Sequence, residues 1–186
     1  MPNNCWNQIT ISGDPDTLKK IEEKFTLIDS GVLNYKNYSK IFESDVTDME
    51  GDEWGPKWFT PSIVSNEGRL IITGDSAWVP PVPLFELISD EWEVECELIY
   101  DEPGQDFAGS IIWSNGDVID NQKYTSWEYK YLFDRHSFWE EVEYSMEVYE
   151  TIEEWLETLN LDKWNKRPSL DMNKINSIWS SIKYED

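Results

Sequence analysis

Hydrophobic and polar positions alternate through residues 6–12, "WNQITIS", where Trp6, Gln8 and Thr10 interleave with Ile9 and Ile11, the pattern of a half-buried strand. The pattern then lengthens. After Asp14, suited to capping, and Pro15, suited to a first helical turn, Leu18, Ile21, Phe25 and Ile28 recur at helical spacing. Residues 34–51 are polar and turn-rich. Beyond them the spacing predicts a short strand near Trp58, a turn at 66–68 and a strand over 69–73. Prolines 80, 81 and 83 lead into a short helix over 83–89 that packs Leu84, Leu87 and Ile88. In "EVECELIYDE", Val94, Cys96 and Leu98 alternate with glutamates, giving a strand with one wet face. A turn at "EPGQDFAG", a strand at "SIIWS" and a hairpin signal in the pair Asn115, Gly116 follow.

Strand, helix, strand, strand, helix, strand is the order of a ferredoxin-like domain, an α+β fold with an antiparallel sheet backed by two helices. We assign it residues 1–123. Residues 124–186 form an acidic, aromatic-rich, mainly helical extension expected to pack on that domain. Ser137 with Glu140 and Thr151 with Glu154 match the capping-box pattern, which predicts helices starting near Phe138 and near Ile152, or one continuous helix. The competing reading, Val142, Tyr144, Met146 and Val148 as one face of a strand, is outweighed by the caps. A last helix is expected from about Asp171.

Composition changes this picture in two ways. Eleven Trp, nine Tyr and seven Phe in 186 residues supply the apolar surface that disordered chains lack, so the chain should fold. With 15 basic against 38 acidic side chains the net charge is −23, and only Arg69, Arg135 and Arg167 are arginines. Binding to DNA or RNA requires a positive footprint, so direct nucleic-acid binding and attachment to an anionic membrane are both disfavoured. A basic partner would be steered inward. No apolar run approaches a membrane span, and "MPNNCWNQ" is not a signal peptide. Two cysteines, Cys5 and Cys96, make no disulfide framework. Residence in the cytoplasm, here that of a host cell, is the expectation.

Four segments occur in order: "MPNNCWNQITISG", "WGPKW" at 54–58, "GDSAWVPPVP" at 74–83 and "YDEPGQDFAG" at 100–109. Over roughly residues 1–118 the chain thereby resembles an uncharacterised family encoded by phages and conjugative plasmids, the YubB-like proteins. The resemblance implies a ferredoxin-like domain and a mobile-element origin, and brings no catalytic residues with it. The motifs have a packing explanation, in which Trp54, Trp58 and Trp78 lie under a sheet and Gly104 and Gly109 serve turns. The alternative is a groove lined by Trp54, Lys57, Trp58 and Trp78.

Candidate chemistry is sparse. The one histidine, His136, precedes a helix cap and reads as a surface residue. No phosphate-binding glycine loop or nucleophile elbow occurs, and zinc would need more His and Cys. "DVTDMEGDE" at 45–53 fails as a calcium loop, because aligning Gly51 to the required glycine puts Val46 and Lys57 at ligand positions. The acidic pairs Asp101 with Glu102 and Glu153 with Glu154 are adjacent acids of the kind so acidic a chain contains by chance. We expect no enzyme, no cofactor and no metal.

The densest feature is residues 139–157, "WEEVEYSMEVYETIEEWLE", with eight glutamates and no lysine or arginine. If this stretch is one helix, Glu140, Glu143, Glu147, Glu150, Glu154 and Glu157 form a single stripe, since side chains three and four apart share a face. Val142, Tyr149, Ile152, Leu156 and Leu159 would hold the opposite side. Carboxylates would then stand about 4.5–6 Å apart along the axis, broadly as phosphates do along one DNA strand. Trp139, Tyr144 and Trp155 are candidates to imitate stacked bases. The functional expectation is a non-enzymatic, phage-encoded protein that inhibits a host nucleic-acid-handling defence protein by acidic mimicry. A CRISPR effector, a restriction enzyme or a similar nuclease would be its target. The alternative is a module that sequesters a nucleotide or signalling molecule in the Trp-lined groove.

Overall fold

A computed structural model describes residues 3–28, 31–43, 51–66, 68–159, 161–164 and 170–183. Three sequence features lie wholly or partly outside these residues: the stretch 45–53, the turn at 66–68, whose middle residue is Glu67, and Arg167. The chain divides into two compact units, Met1–Lys123 and Tyr124–Asp186.

The first unit is built on β1 (Asn4–Ser12), α1 (Pro15–Thr26), β2 (Leu33–Asn34), β3 (Trp58–Asn66), β4 (Arg69–Ala77), α2 (Val82–Glu91), β5 (Glu95–Glu102), β6 (Phe107–Ser114) and β7 (Asp117–Tyr124). The sheet order is β2-β3-β4-β1-β5-β6-β7. Its centre, β3-β4-β1-β5, is the antiparallel ferredoxin-like arrangement with one helix in each crossover. β2 adds a short edge on one side, and β6 and β7 extend the other. Pro61 is tolerated in β3 because β2 reaches only Phe59 and Trp58, leaving the proline on an edge.

Alternation decides which face is buried. Cys5, Asn7, Ile9 and Ile11 of β1 are fully buried, as are Leu70 and Ile72 of β4 and Cys96 and Leu98 of β5. They pack with Leu18, Ile21 and Phe25 of α1 and with Leu84, Phe85 and Ile88 of α2. Phe85 joins the layers, lying parallel to Phe25 at 6.4 Å and edge-on to Phe59 at 6.1 Å. Asp14 caps α1, its Oδ1 accepting from the amides of Asp16 and Thr17, each at 3.0 Å. The wet face expected of β5 is confined to its start, since Tyr100, Asp101 and Glu102 are buried.

The second unit contains α3 (Ser126–Phe133), α4 (Arg135–Val148), α5 (Ile152–Thr158) and α6 (Met172–Lys183). The strand reading of 142–148 is therefore wrong. Its core gathers Tyr131, Phe138, Val142, Met146, Trp155, Leu159, Trp164, Ile175 and Trp179. Phe138 is the hub, with Tyr131, Trp139 and Trp127 set edge-on around it at 5.0, 5.1 and 5.9 Å. α4 begins a turn earlier than expected. Asp134 rather than Ser137 is the cap, and the Ser137 amide donates to Asp134 Oδ1 at 3.2 Å.

Candidate interaction surfaces

α4 and α5 are separate helices, which corrects the single stripe. Tyr149 is extended (φ −97°, ψ 142°) and so is Thr151 (φ −131°, ψ 154°). The cause is the capping box itself. Thr151 Oγ1 accepts from the Glu154 amide at 3.2 Å, while Glu154 Oε2 accepts from the Thr151 amide at 3.4 Å and the Glu150 amide at 3.2 Å. A residue that caps α5 cannot continue α4. Glu140, Glu143 and Glu147 thus share one face of α4, Glu150 lies in the break, and Glu154 and Glu157 belong to α5. All of them are exposed.

Three described cations of this unit, Lys130, Arg135 and Lys174, are engaged by other groups. Lys130, only 8% exposed, bonds Glu141 and lies 6.0 Å from the Trp127 ring. Arg135 sits over Tyr131 at 4.2 Å, and Lys174 over Trp139 at 3.9 Å. The exposed pair of His136 with Glu140 at 3.3 Å adds little in solvent. Of the proposed base mimics, Tyr144 is 68% exposed, whereas Trp155 is fully buried in the core and is withdrawn. Trp139 is half-buried under Lys174.

The total charge is no greater here than elsewhere. Residues 1–123 hold 24 acidic and 8 basic side chains, and residues 124–186 hold 14 and 7. What distinguishes residues 140–157 is local arrangement.

In the first unit the alternative groove does not form, and Trp54 is buried as in the packing explanation. Trp54 is 2% exposed, stacked between Tyr38 at 5.8 Å and Phe42 at 5.9 Å, so it cannot line a surface. Lys57 is exposed, Trp58 half-buried and Trp78 49% exposed. Two shallow concavities of about 270 and 380 Å³ are lined by other residues.

The sequence motifs nevertheless converge at one end of the sheet. Asn7, fully buried, donates through Nδ2 to the Cys5 carbonyl at 2.8 Å, the Gly74 carbonyl at 3.1 Å and Ser76 Oγ at 2.8 Å. Ser76 Oγ in turn donates to the Val79 carbonyl at 2.7 Å. Trp78 donates its amide to the Asn3 carbonyl at 3.0 Å, and the Val79 amide returns to the Ala77 carbonyl at 2.8 Å. With φ +69° at Trp78, this is a γ-turn of the rare positive-φ kind. A bulky residue held there carries strain that the surrounding bonds must overcome. Asn7 was missed in the sequence, although it is a polar residue in phase with Cys5, Ile9 and Ile11, a position where a side chain has to find internal partners. The strained turn left no sequence signal.

The two glycines serve close approach rather than turn geometry. A Cβ on Gly104 would stand 2.6 Å from Asn3 Nδ2, and one on Gly109 would enter the Tyr100 hydroxyl. Glu102, 1% exposed, accepts the Gly104 amide at 3.2 Å through Oε1, and its Oε2 has no hydrogen-bond partner among the described residues. Burial, then the charges of Glu102, Asp101 and Asp75, push the Cys5 thiol up to about 12, although its hydrogen bond with Ser76 pulls the other way. Burial raises Cys96 further, and raises Tyr38 and Tyr100. Neither thiol is a nucleophile at neutral pH. Among the described residues no group of His, Cys, Asp and Glu is arranged to hold a metal, and no helix is long and apolar enough to cross a membrane.

Residues 57–152 match the family described as the ferredoxin-like domain in Api92-like protein. The chain belongs to that family. The matched stretch starts after β1 and α1 and runs on through α3 and α4, beyond the motifs that end near 118. The family's description names no reaction. The crystal structure of protein api92 from Yersinia pseudotuberculosis is similar over 67% of this chain and 98% of its own, at 10% identity and a TM-score of 0.44. No curated protein matches.

Proposed function

We propose that this Api92-like chain is a non-enzymatic protein of phage or plasmid origin, related to the YubB-like proteins, that inhibits a host nucleic-acid-handling defence protein. CRISPR effectors, restriction enzymes and related nucleases have the required basic channel. Exposed carboxylates of α4, with a second short row on α5, stand where phosphates would. One observation carries this reading. Lys130, Arg135 and Lys174 are placed against rings or Glu141, while Glu140, Glu143 and Glu147 face solvent. Three like charges on one face oppose helix formation by about 0.2–0.5 kcal/mol per pair, a cost tolerated here without compensating lysines on that face. Tyr144, exposed on the same helix, supplies an aromatic surface beside them. The break at 149–151 limits the mimic to short rows, so the surface fits a few successive phosphate-binding residues rather than a long duplex track.

The groove reading loses support with Trp54 in the core. Tagged capture from host lysate, with and without excess competitor DNA, tests the mimicry. The expected result is a basic nucleic-acid-binding protein that DNA displaces. A captured partner indifferent to DNA and salt would sink the proposal.

A further inference from the structure

We infer that Trp6 and Asp75 form a seat for an arginine side chain of a protein partner, on the sheet face turned away from α1 and α2. It is separate from the helical carboxylates and stands or falls independently of them. In the β1–β4 ladder Trp6 is directly opposite Asp75, and in the β1–β5 ladder it is directly opposite Asp101. Facing residues in an antiparallel pair share a face, with Cβ atoms about 4.5–5.5 Å apart. The indole is therefore flanked on both strands by acidic positions.

Trp6 is 41% exposed, and among the described residues no aromatic ring or cation lies against its indole. Asp75 is partly exposed and its carboxylate has no hydrogen bond or ion pair among the described residues; its carbonyl accepts from Thr60 Oγ1 at 3.2 Å. Asp101 is buried and engaged within the fold, and contributes negative field rather than a contact. A carboxylate beside the negative face of an indole is a poor pairing, and a cation resolves it for both groups. The same chain does this internally where Lys174 covers Trp139 at 3.9 Å.

The chemistry selects arginine. A planar guanidinium can stack on the ring while its fork reaches the carboxylate, whereas an ammonium is a hydrated point charge that does one or the other. Neighbouring positions on this face, Gln8, Thr10, Thr60 and Thr73, carry no charge. Arg69, opposite Ser12, is about 20 Å away at ~3.4 Å per residue. A phosphate or nucleic acid is excluded by Asp75 and the net charge of −23.

The test uses the full chain and the Trp6 indole N–H resonance, assigned with Trp6→Phe. Acetyl-Gly-Arg-Gly-amide should shift this resonance saturably. The lysine analogue should bind about fivefold more weakly, the size of an exposed cation–π contact, and Asp75→Asn should weaken the arginine peptide by at least as much. Asp75→Asn keeps the carbonyl that Thr60 bonds. Gln8→Arg, which places an internal guanidinium one step along the same face, should suppress peptide binding. An unmoved Trp6 resonance, equal affinity for lysine, or binding unchanged in Asp75→Asn and Gln8→Arg would each overturn the seat and leave only diffuse attraction to a negative surface.

Discussion

The two units carry charge of the same sign and both bury polar groups, but they differ in where they leave their carboxylates. In the sheet unit, polar groups are drawn inside and satisfied by one another, as Asn7, Ser76 and the Cys5, Gly74 and Val79 carbonyls are. In the helical unit the core is aromatic, and although Glu128 is buried, Arg135 and Lys174 are laid on rings and Glu140, Glu143 and Glu147 face outward. The difference teaches that total charge is a poor guide to an acidic surface. The sheet unit holds the larger share of the acidic excess, but its interior polar groups serve structure. In the row on α4, among the described residues, Glu143 and Glu147 have no ion pair and Glu140 has only the exposed His136.

The sharpest way to break this contrast is through the two cores. Trp155→Ala, at a fully buried position with Trp127 edge-on at 6.0 Å, should cost about 3–5 kcal/mol in chemical denaturation. A loss below about 1 kcal/mol would mean that the helical unit lacks the core described.

Asn7→Leu should cost about 1–3 kcal/mol, because the carbonyls and hydroxyl it serves are left unsatisfied. Gln8→Leu, on the other face, should be near neutral by the same urea titration. Similar effects from both would show that the buried network contributes nothing.

An alkaline limb should also appear in the stability of the sheet unit. Burial pushes the Cys5 thiol from its ordinary value of 9.0 up to about 12 in the fold, so the folded chain keeps a proton that the unfolded chain releases. That contribution is complete below about pH 9 and declines as pH rises toward 12. Cys96, Tyr38 and Tyr100 are raised too and act in the same direction. Urea titrations at increasing pH should show falling stability with a shallower limb in Cys5→Ala, and alkylation of both thiols should require unfolding.

Smallest is the hinge between α4 and α5. Thr151→Ala should cost about 1 kcal/mol and lower amide protection in α5, leaving α4 intact. Unchanged protection would mean that packing alone positions the break.

The core strands were legible because period-two alternation reports burial directly; Asn7, the polar residue in the buried phase of β1, was missed although the same alternation carries it. Residue spacing was less informative wherever partners come from far along the chain. Packing was the first reading of Trp54, but its partners Tyr38 and Phe42 could not be named because they lie in a segment without periodicity. Ser137 matched a capping box, but Asp134 three residues earlier offered a competing oxygen, and local pattern cannot rank two such caps. The break after α4 was written in Thr151 and Glu154, yet a three-four spacing of glutamates runs through it undisturbed. Spacing places side chains on a face only while the backbone stays helical. The Trp6–Asp75 pairing was invisible because register between β1 and β4 is a property of the folded sheet.

The central claim, that arrangement rather than quantity of charge makes the surface, is most directly tested by two matched charge reversals. Glu140→Lys, Glu143→Lys and Glu147→Lys are combined in one variant, and Glu86→Lys, Glu93→Lys and Glu95→Lys, all exposed positions of the sheet unit, in the other. Both change the net charge equally, and affinity for the captured basic partner is measured at two salt concentrations. The account predicts at least about a tenfold loss for the α4 variant and a much smaller, salt-sensitive change for the other. Equal losses, or none from the α4 variant, would contradict it.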